Sequence, residues 1–134
     1  MMTADEQHTD ASLLASIPDD QPLLRMAVAA VDELKGESVK VLDVSGLTTI
    51  ADWMVICTGR SNRHVKRLGE TLVVNAKAEG LAPRVEGMEQ AEWVLIDLNG
   101  VLVHIMQPVA RAYYQIEKLW DVDLAAPEND SARS

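Results

Sequence analysis

Apolar residues recur along this chain at two spacings, which predict helices and strands in a definite order. A spacing of three and four residues predicts a first helix between Asp20 and Gly36. Ser61 is a good N-cap for a second helix that runs to about residue 79, before Gly80. A third helix begins at Pro108, and the spacing places on one face of it Val109, Ala112, Tyr113, Ile116 and Trp120.

Between the helices, short apolar runs predict five strands, at residues 39–44, 53–58, 84–86, 93–98 and 101–106. The run 53–58 is apolar at nearly every position, which is typical of a central strand covered on both faces. The third strand follows the second through a helical crossover, and the last two strands form a hairpin. The sequence therefore predicts an α/β (α+β) fold with a mixed five-stranded sheet flanked by three helices.

The predicted hairpin has two unlike sides. Asn99-Gly100 favours a two-residue type I′ turn, which fixes the residues that face each other across the strands. One side is wholly aliphatic and should face the core: Val94, Ile96, Leu98, Val101, Val103 and Ile105. The other side is mixed, and its cross-strand pairs are Trp93 with Met106, Leu95 with His104, and Asp97 with Leu102.

This mixed side allows two interpretations. In the first, a helix covers it, and Asp97 pairs with His104 or with a backbone donor. In the second, it is partly open and docks a partner, with Trp93 as an anchor of the kind that carries interface energy. Catalysis by Asp97 and His104 ranks below both, because no predicted strand brings a nucleophile near them.

The start of the second predicted helix carries the only cluster of positive charge in the chain: Arg60, Arg63, His64, Lys66 and Arg67. One interpretation is a solvated helix face. The other is contact with an anion, an RNA or an acidic protein, because the turn at residues 57–61 has N–H groups that could hold a phosphate. The turn is not a Walker loop, since the second glycine and the following lysine are missing.

The formal net charge is −9, and most of it lies at the two ends. Residues 1–20 carry −5 and residues 121–134 carry −3, so the 100 residues between them carry only −1. These polar ends predict disordered acidic tails on either side of one domain at residues 21–120. The acidity alone therefore indicates nothing about the partner.

Candidate chemistry is sparse. The three histidines stand at no metal-ligand spacing, so no metal or cofactor is expected. Cys57, the single cysteine, lies in an apolar strand and is expected in the core. No apolar run approaches the ~18 residues of a membrane helix, and the first 20 residues lack the basic start of a secretory signal. A cytoplasmic protein without membrane contact is the expectation.

A resemblance adds a function to this picture. Several short segments occur in the order that is typical of the ribosomal silencing factor (Iojap-related) family. They are Leu-Asp-Val-Ser at 42–45, Ala-Asp-Trp-Met-Val-Ile-Cys-Thr-Gly-Arg-Ser at 51–61, Val-Glu-Gly at 85–87, Ala-Glu-Trp-Val-Leu-Ile-Asp at 91–97, Val-His-Ile-Met at 103–106 and Tyr-Gln-Ile-Glu-Lys-Leu-Trp at 114–120. Trp53 departs from the Tyr or Cys that is often found there, and the acidic ends are not part of the pattern.

The resemblance implies a nucleotidyltransferase-like fold without catalytic acids, and no enzyme activity. It implies binding to a ribosomal protein on the joining face of the large ribosomal subunit, which blocks the small subunit and represses translation. The contact or site-shaping positions would be Glu86, Trp93, Asp97, His104 and Tyr114, with Met106 beside Trp93 as an apolar anchor. Tyr114 is expected to be more exposed than Tyr113.

Three alternatives stay open beside this hypothesis. The first is an RNA- or anion-binding module that acts in large-subunit maturation through Arg60, Arg63, Lys66 and Arg67, and the same residues could touch ribosomal RNA. The second is a homodimer formed through an exposed sheet edge. The third, ranked last, is a nucleotidyltransferase-like enzyme.

Overall fold

The computed structural model describes residues 11–120 as one sheet with helices on both faces. The helices are α1 (Ala11–Ala15), α2 (Pro22–Glu33), α3 (Asn62–Ala78), α4 (Pro108–Tyr114) and α5 (Glu117–Trp120). The strands are β1 (Glu37–Asp43), β2 (Trp53–Thr58), β3 (Arg84–Glu86), β4 (Trp93–Asp97) and β5 (Val101–Met106). The predicted order of elements is confirmed, with five helical segments in place of three.

The five strands form a mixed sheet in the order β1-β2-β5-β4-β3. Only β2 and β5 pair in parallel, and the other neighbours are antiparallel. The crossover through α3 therefore carries the chain from β2 past two strands to the opposite edge. The hairpin register is confirmed, and both turn residues have positive φ, 66° at Asn99 and 121° at Gly100, as a type I′ turn requires.

The main core lies between the sheet and the two long helices, on what we call the first face. α2 contributes a continuous buried stripe because its apolar residues recur at helical spacing. α3 is amphipathic in the same way and buries its apolar side against β4 and β5. The six aliphatic residues of the predicted hairpin core are all buried here: Val94, Ile96, Leu98, Val101, Val103 and Ile105.

A second, smaller core lies on the opposite face of the sheet, which we call the second face. Its buried residues come from β1, β2 and β5, from the loop between β1 and β2 and from the turn between α4 and α5, and they include Met54, Ile56, Met106 and Ile116. The single predicted C-terminal helix is wrong, because Gln115 has φ 47° and breaks it into α4 and α5. The turn lets Ile116 reach the sheet while Val109 and Tyr113 point to solvent.

The N-terminal segment corrects another expectation. Residues 11–20 were predicted as part of a disordered tail, but α1 lies here and Ile17 is buried in the main core. The Arg25 side chain donates to the carbonyl oxygens of Leu14 and Ile17, both at 2.9 Å, and so holds this segment to α2. The remaining predicted tail residues, 1–10 and 121–134, lie outside the described residues.

Candidate functional site

The second face of the sheet is sealed over one half and open over the other. α4 and α5 cover β1, β2 and β5, so Met106 is fully buried. β4 and β3 lie beyond this cover, where Trp93, Leu95 and Asp97 are half-buried and Glu86 is exposed. We call Glu86, Trp93, Leu95, Asp97 and the neighbouring Tyr114 the docking face. The mixed side is therefore covered by helices over one half and partly open over the other.

The sealed half corrects two predicted contact residues. Met106 has no exposed surface, and His104 is 8% exposed. Both side chains are therefore too deeply buried to offer a contact surface to a partner. Met106 is therefore not an anchor beside Trp93. His104 keeps only the site-shaping role.

His104 positions the Trp93 indole with a hydrogen bond. Trp93 Nε1 donates to His104 Nδ1 at 3.0 Å, so the neutral imidazole carries its proton on Nε2. Burial lowers the pKa of His104 to about 4, and the ring is neutral at physiological pH. A side chain from the sealed half thus fixes the orientation of the largest aromatic group of the docking face.

Asp97 does not pair with His104. One of its carboxylate oxygens accepts from the backbone N–H of Asn99 at 2.8 Å, which closes the start of the hairpin turn. Of the two partners predicted for Asp97, His104 or a backbone donor, the structure therefore has the backbone donor. Arg84 stands directly opposite Asp97 on β3, at the edge of the sheet. The docking face therefore has a carboxylate whose position is set by a turn.

Two tyrosines extend the docking face onto α4. The Tyr114 ring lies 4.9 Å from the Trp93 ring between centroids, and Tyr113 packs edge-on against Tyr114 at 4.9 Å. Tyr113 is 78% exposed and Tyr114 is 52% exposed, so the predicted order of exposure is wrong. The prediction assumed an unbroken helix; α4 instead turns Tyr114 toward the sheet.

The basic cluster is only partly available to a partner. Arg60 forms an ion pair with Glu37, Nε to Oε2 at 3.2 Å, and its N–H donates to His64 Nδ1 at 2.9 Å. The Gly59 N–H donates to the Met106 carbonyl, so the N–H groups of Gly59 and Arg60 are not free to hold a phosphate. On α3, Arg63 and Arg67 are exposed and Lys66 is half-buried.

Arg111 is a structurally important residue that the sequence did not indicate. Its side chain is 13% exposed, and the guanidinium donates from Nη1 to the Ser38 carbonyl (2.7 Å) and the Thr58 hydroxyl (3.0 Å), and from Nε to Glu117 Oε2 (3.2 Å). These bonds tie α4 and α5 to the ends of β1 and β2. No sequence signal could show this, because Ser38 and Thr58 are 73 and 53 residues away.

Three further features were considered in the sequence: a reactive cysteine, a metal site and a membrane-spanning helix. Cys57 is fully buried, and burial raises the pKa of its thiol to about 12, as expected of a core residue. Within residues 11–120, no three acidic, histidine or cysteine side chains are grouped so that they could hold a metal ion. The helices in this range are all too short or too polar to cross a membrane.

Comparison with known proteins gives consistent results. Residues 17–134 match the family model described as "Ribosomal silencing factor during starvation". The chain is 46% identical over 102 residues to "Ribosomal silencing factor RsfS" of Halalkalibacterium halodurans, a match that covers 75% of this chain and 87% of that protein. A crystal structure of a Chromobacterium violaceum protein, 40% identical, superposes with a TM-score of 0.74 over 78% of this chain and 88% of that one.

A more distant relative comes from an animal. "Mitochondrial assembly of ribosomal large subunit protein 1" of Mus musculus is 26% identical over 100 residues. The match covers 71% of this chain and 43% of that protein.

Proposed function

This chain belongs to the ribosomal silencing factor family, and on that premise we propose that it binds a protein on the joining face of the large ribosomal subunit. Bound there, it blocks the small subunit by its bulk and so represses translation. No bond is made or broken in this mechanism, and the chain acts without enzyme activity. The strength of repression depends on affinity and on concentration relative to ribosomes.

The observation that carries this proposal is the docking face. A half-buried indole is held in place by His104 and Tyr114. Leu95 and Asp97 follow it on the same face of β4, and Glu86 stands opposite Leu95 on β3. Protein interfaces commonly have an aromatic anchor at the centre and polar groups at the rim. The acids at this rim suit a basic partner surface, because charge complementarity sets encounter rate and orientation.

Co-sedimentation with isolated large subunits tests the proposal. Glu86→Lys is the cleanest variant, because Glu86 is exposed and has no role in the hairpin turn or the core. We expect it to weaken binding about fivefold or more, mainly through slower association. Glu33→Lys makes the same charge change on α2, behind the first face, and should bind like the unmodified chain. Equal binding by both variants would exclude this docking face.

A second experiment tests the steric mechanism. Large subunits are incubated with increasing amounts of the protein before small subunits are added, and joining is followed by light scattering. We expect the fraction of joined ribosomes to fall until the protein is equimolar with large subunits. Full joining on large subunits saturated with the protein would refute the blocking mechanism even if binding is tight.

A basic strip on α3 supports a second candidate function, contact with RNA. Arg63 and Arg67 are exposed, and the first turn of α3 has no acid to offset them. We expect Arg63→Ala with Arg67→Ala to reduce the salt dependence of RNA binding by about one to two phosphate contacts. Arg84→Ala, on the other face, is the matched control. An RNA affinity that does not change with salt concentration would refute this candidate function.

The wider setting is also part of the proposal. The name of the mouse relative supports a role in large-subunit maturation besides silencing. The bacterial relatives support a cytoplasmic site of action. A homodimer through the edge strands β1 or β3 stays an alternative, which sedimentation equilibrium of the purified chain would decide.

A further inference from the structure

A pocket of about 280 Å³ lies beside the docking face, on the exposed side of α4. It is lined by Glu92, Gln107, Val109, Ala110, Tyr113 and Tyr114. The pocket is continuous with the docking face, because Tyr114 lines one and packs on Trp93 in the other. A partner seated over Trp93 would therefore also cover this pocket.

The pocket offers two acceptors to a partner, a carboxylate and an amide oxygen. The Glu92 carboxylate is exposed and forms no ion pair or hydrogen bond with any residue in 11–120. Gln107 uses its Nε2 to donate to the Ala91 carbonyl at 2.9 Å, which leaves its amide oxygen as an acceptor. The one base on α4, Arg111, is bound to Glu117 on the covered side of the helix. The pocket thus lacks a cation of its own.

The apolar groups of the pocket are aromatic faces. Tyr113 and Tyr114 stand edge to face, so their rings lie at 89° to each other and offer two differently oriented π surfaces. An aromatic ring attracts a cation over its face, and most strongly a guanidinium, which can also stack on it. A carboxylate next to such rings can accept two parallel N–H bonds from the same group.

We propose that this pocket receives an arginine side chain of the partner protein, between the two tyrosines and the Glu92 carboxylate. The proposal rests on the proposed function and adds the chemistry of one contact to it. The planar guanidinium fits better than a lysine ammonium, because it can stack on a tyrosine while it donates to Glu92 and to Gln107. A further exposed acid on the docking face, Glu86, makes the same side of the chain attractive to a basic partner.

The test uses the full chain and isolated large subunits, with affinity measured by co-sedimentation at two salt concentrations. Glu92→Gln keeps the shape of the side chain and removes the charge, and we expect about tenfold weaker binding. Glu89→Gln removes the same charge outside the pocket and should stay within about twofold of the unmodified chain. Because all these side chains are exposed, thermal melts should show that each variant is folded.

Two tyrosine variants separate a cation from an apolar occupant. Tyr113→Phe keeps the π face and should bind normally, while Tyr113→Ala should bind about fivefold more weakly. The loss from Glu92→Gln should shrink at high salt or in the presence of Tyr113→Ala, since both changes weaken the same contact.

The outcomes distinguish this inference from the proposed function. If the unmodified chain does not bind large subunits, the proposed function and the arginine pocket are both refuted. If it binds and Glu92→Gln binds as Glu89→Gln does, the proposed function stands and the arginine pocket is refuted. If Tyr113→Ala weakens binding to large subunits but Glu92→Gln does not, the occupant of the pocket is apolar, and the arginine pocket is refuted. A change confined to self-association would assign the pocket to a second copy of the chain and refute it too.

Discussion

Acid should destabilise this protein through His104, and the size of the effect follows from its surroundings. The imidazole is almost completely buried, and desolvation lowers its pKa from the ordinary 6.5 to about 4 in the folded state. The unfolded chain therefore binds this proton more readily than the folded chain. The stabilisation is fully present above pH 6.5 and is lost as the pH falls toward 4. The pKa difference corresponds to about 3 kcal/mol, and about 2 kcal/mol of it should be lost between pH 7 and pH 5.

The structure also shows which contact is lost when His104 is protonated. Protonation of Nδ1 removes the acceptor of the Trp93 indole N–H and places a cation beneath α4 and α5. Many carboxyl groups titrate in the same range, so the measurement is a difference. The free energy of unfolding is measured in urea between pH 8 and pH 4.5 for the unmodified chain and for His104→Gln, which accepts a hydrogen bond but does not titrate.

The two curves should converge or cross as the pH falls, with the unmodified chain losing more stability by about 2 kcal/mol at pH 5. Titration of the His104 ring proton by nuclear magnetic resonance gives a direct check, with an expected midpoint near 4. Parallel pH dependence in both chains, or a midpoint near 6.5 in the folded state, would refute the reasoning.

Three further predictions concern single positions. Gly87→Ala should destabilise the fold by at least about 2 kcal/mol in thermal unfolding, because φ is 89° and the new Cβ would clash with the Trp93 carbonyl oxygen. Gly46→Ala, with open space around it, should be close to neutral. His64→Ala should cost about 1–3 kcal/mol in urea denaturation, because the ring bonds to the Arg60 N–H and the Leu34 carbonyl are both lost. Cys57 should react with a thiol reagent only at the rate of unfolding, since its thiol is buried and protonated; fast labelling of the folded chain would contradict this.

The sheet and the long helices could be predicted from the sequence because residues a few positions apart determine them. The turn Asn99-Gly100 leaves one register for β4 and β5, and that register alone assigns twelve side chains to two faces. Apolar spacing was sufficient for α2, whose N-cap residue Gln21 makes no side-chain cap hydrogen bond. For α3 the spacing was joined by a cap residue, since Ser61 accepts the His64 N–H. Each of these features is decided by residues a few positions apart.

The predictions that failed depend instead on packing between residues that are far apart in the sequence. The break at Gln115 allows Arg111 to bond to β1 and β2 while Ile116 enters the core, and neither partner is near in sequence. The wrong predictions for Met106 and the two tyrosines likewise depend on how α4 and α5 pack on the second face of the sheet. In the N-terminal segment, the acidic composition obscured the apolar Ile17, which the main core buries.

The two candidate surfaces lie on opposite sides of the sheet, and this separation gives the proposed function its geometry. The docking face belongs to the second face, whereas the basic strip is on the outer side of α3, which packs on the first face. A single flat partner surface cannot reach both, because the sheet and a layer of helix, about 10 Å each, stand between them. If both surfaces are used, the chain is held between two ribosomal elements. Trp93 then gains from being fixed before binding, since an ordered side chain avoids a cost of about 0.5–1.5 kcal/mol on association. Under the proposed function, a core histidine that does not touch the partner would thus contribute to affinity through the residue it orients.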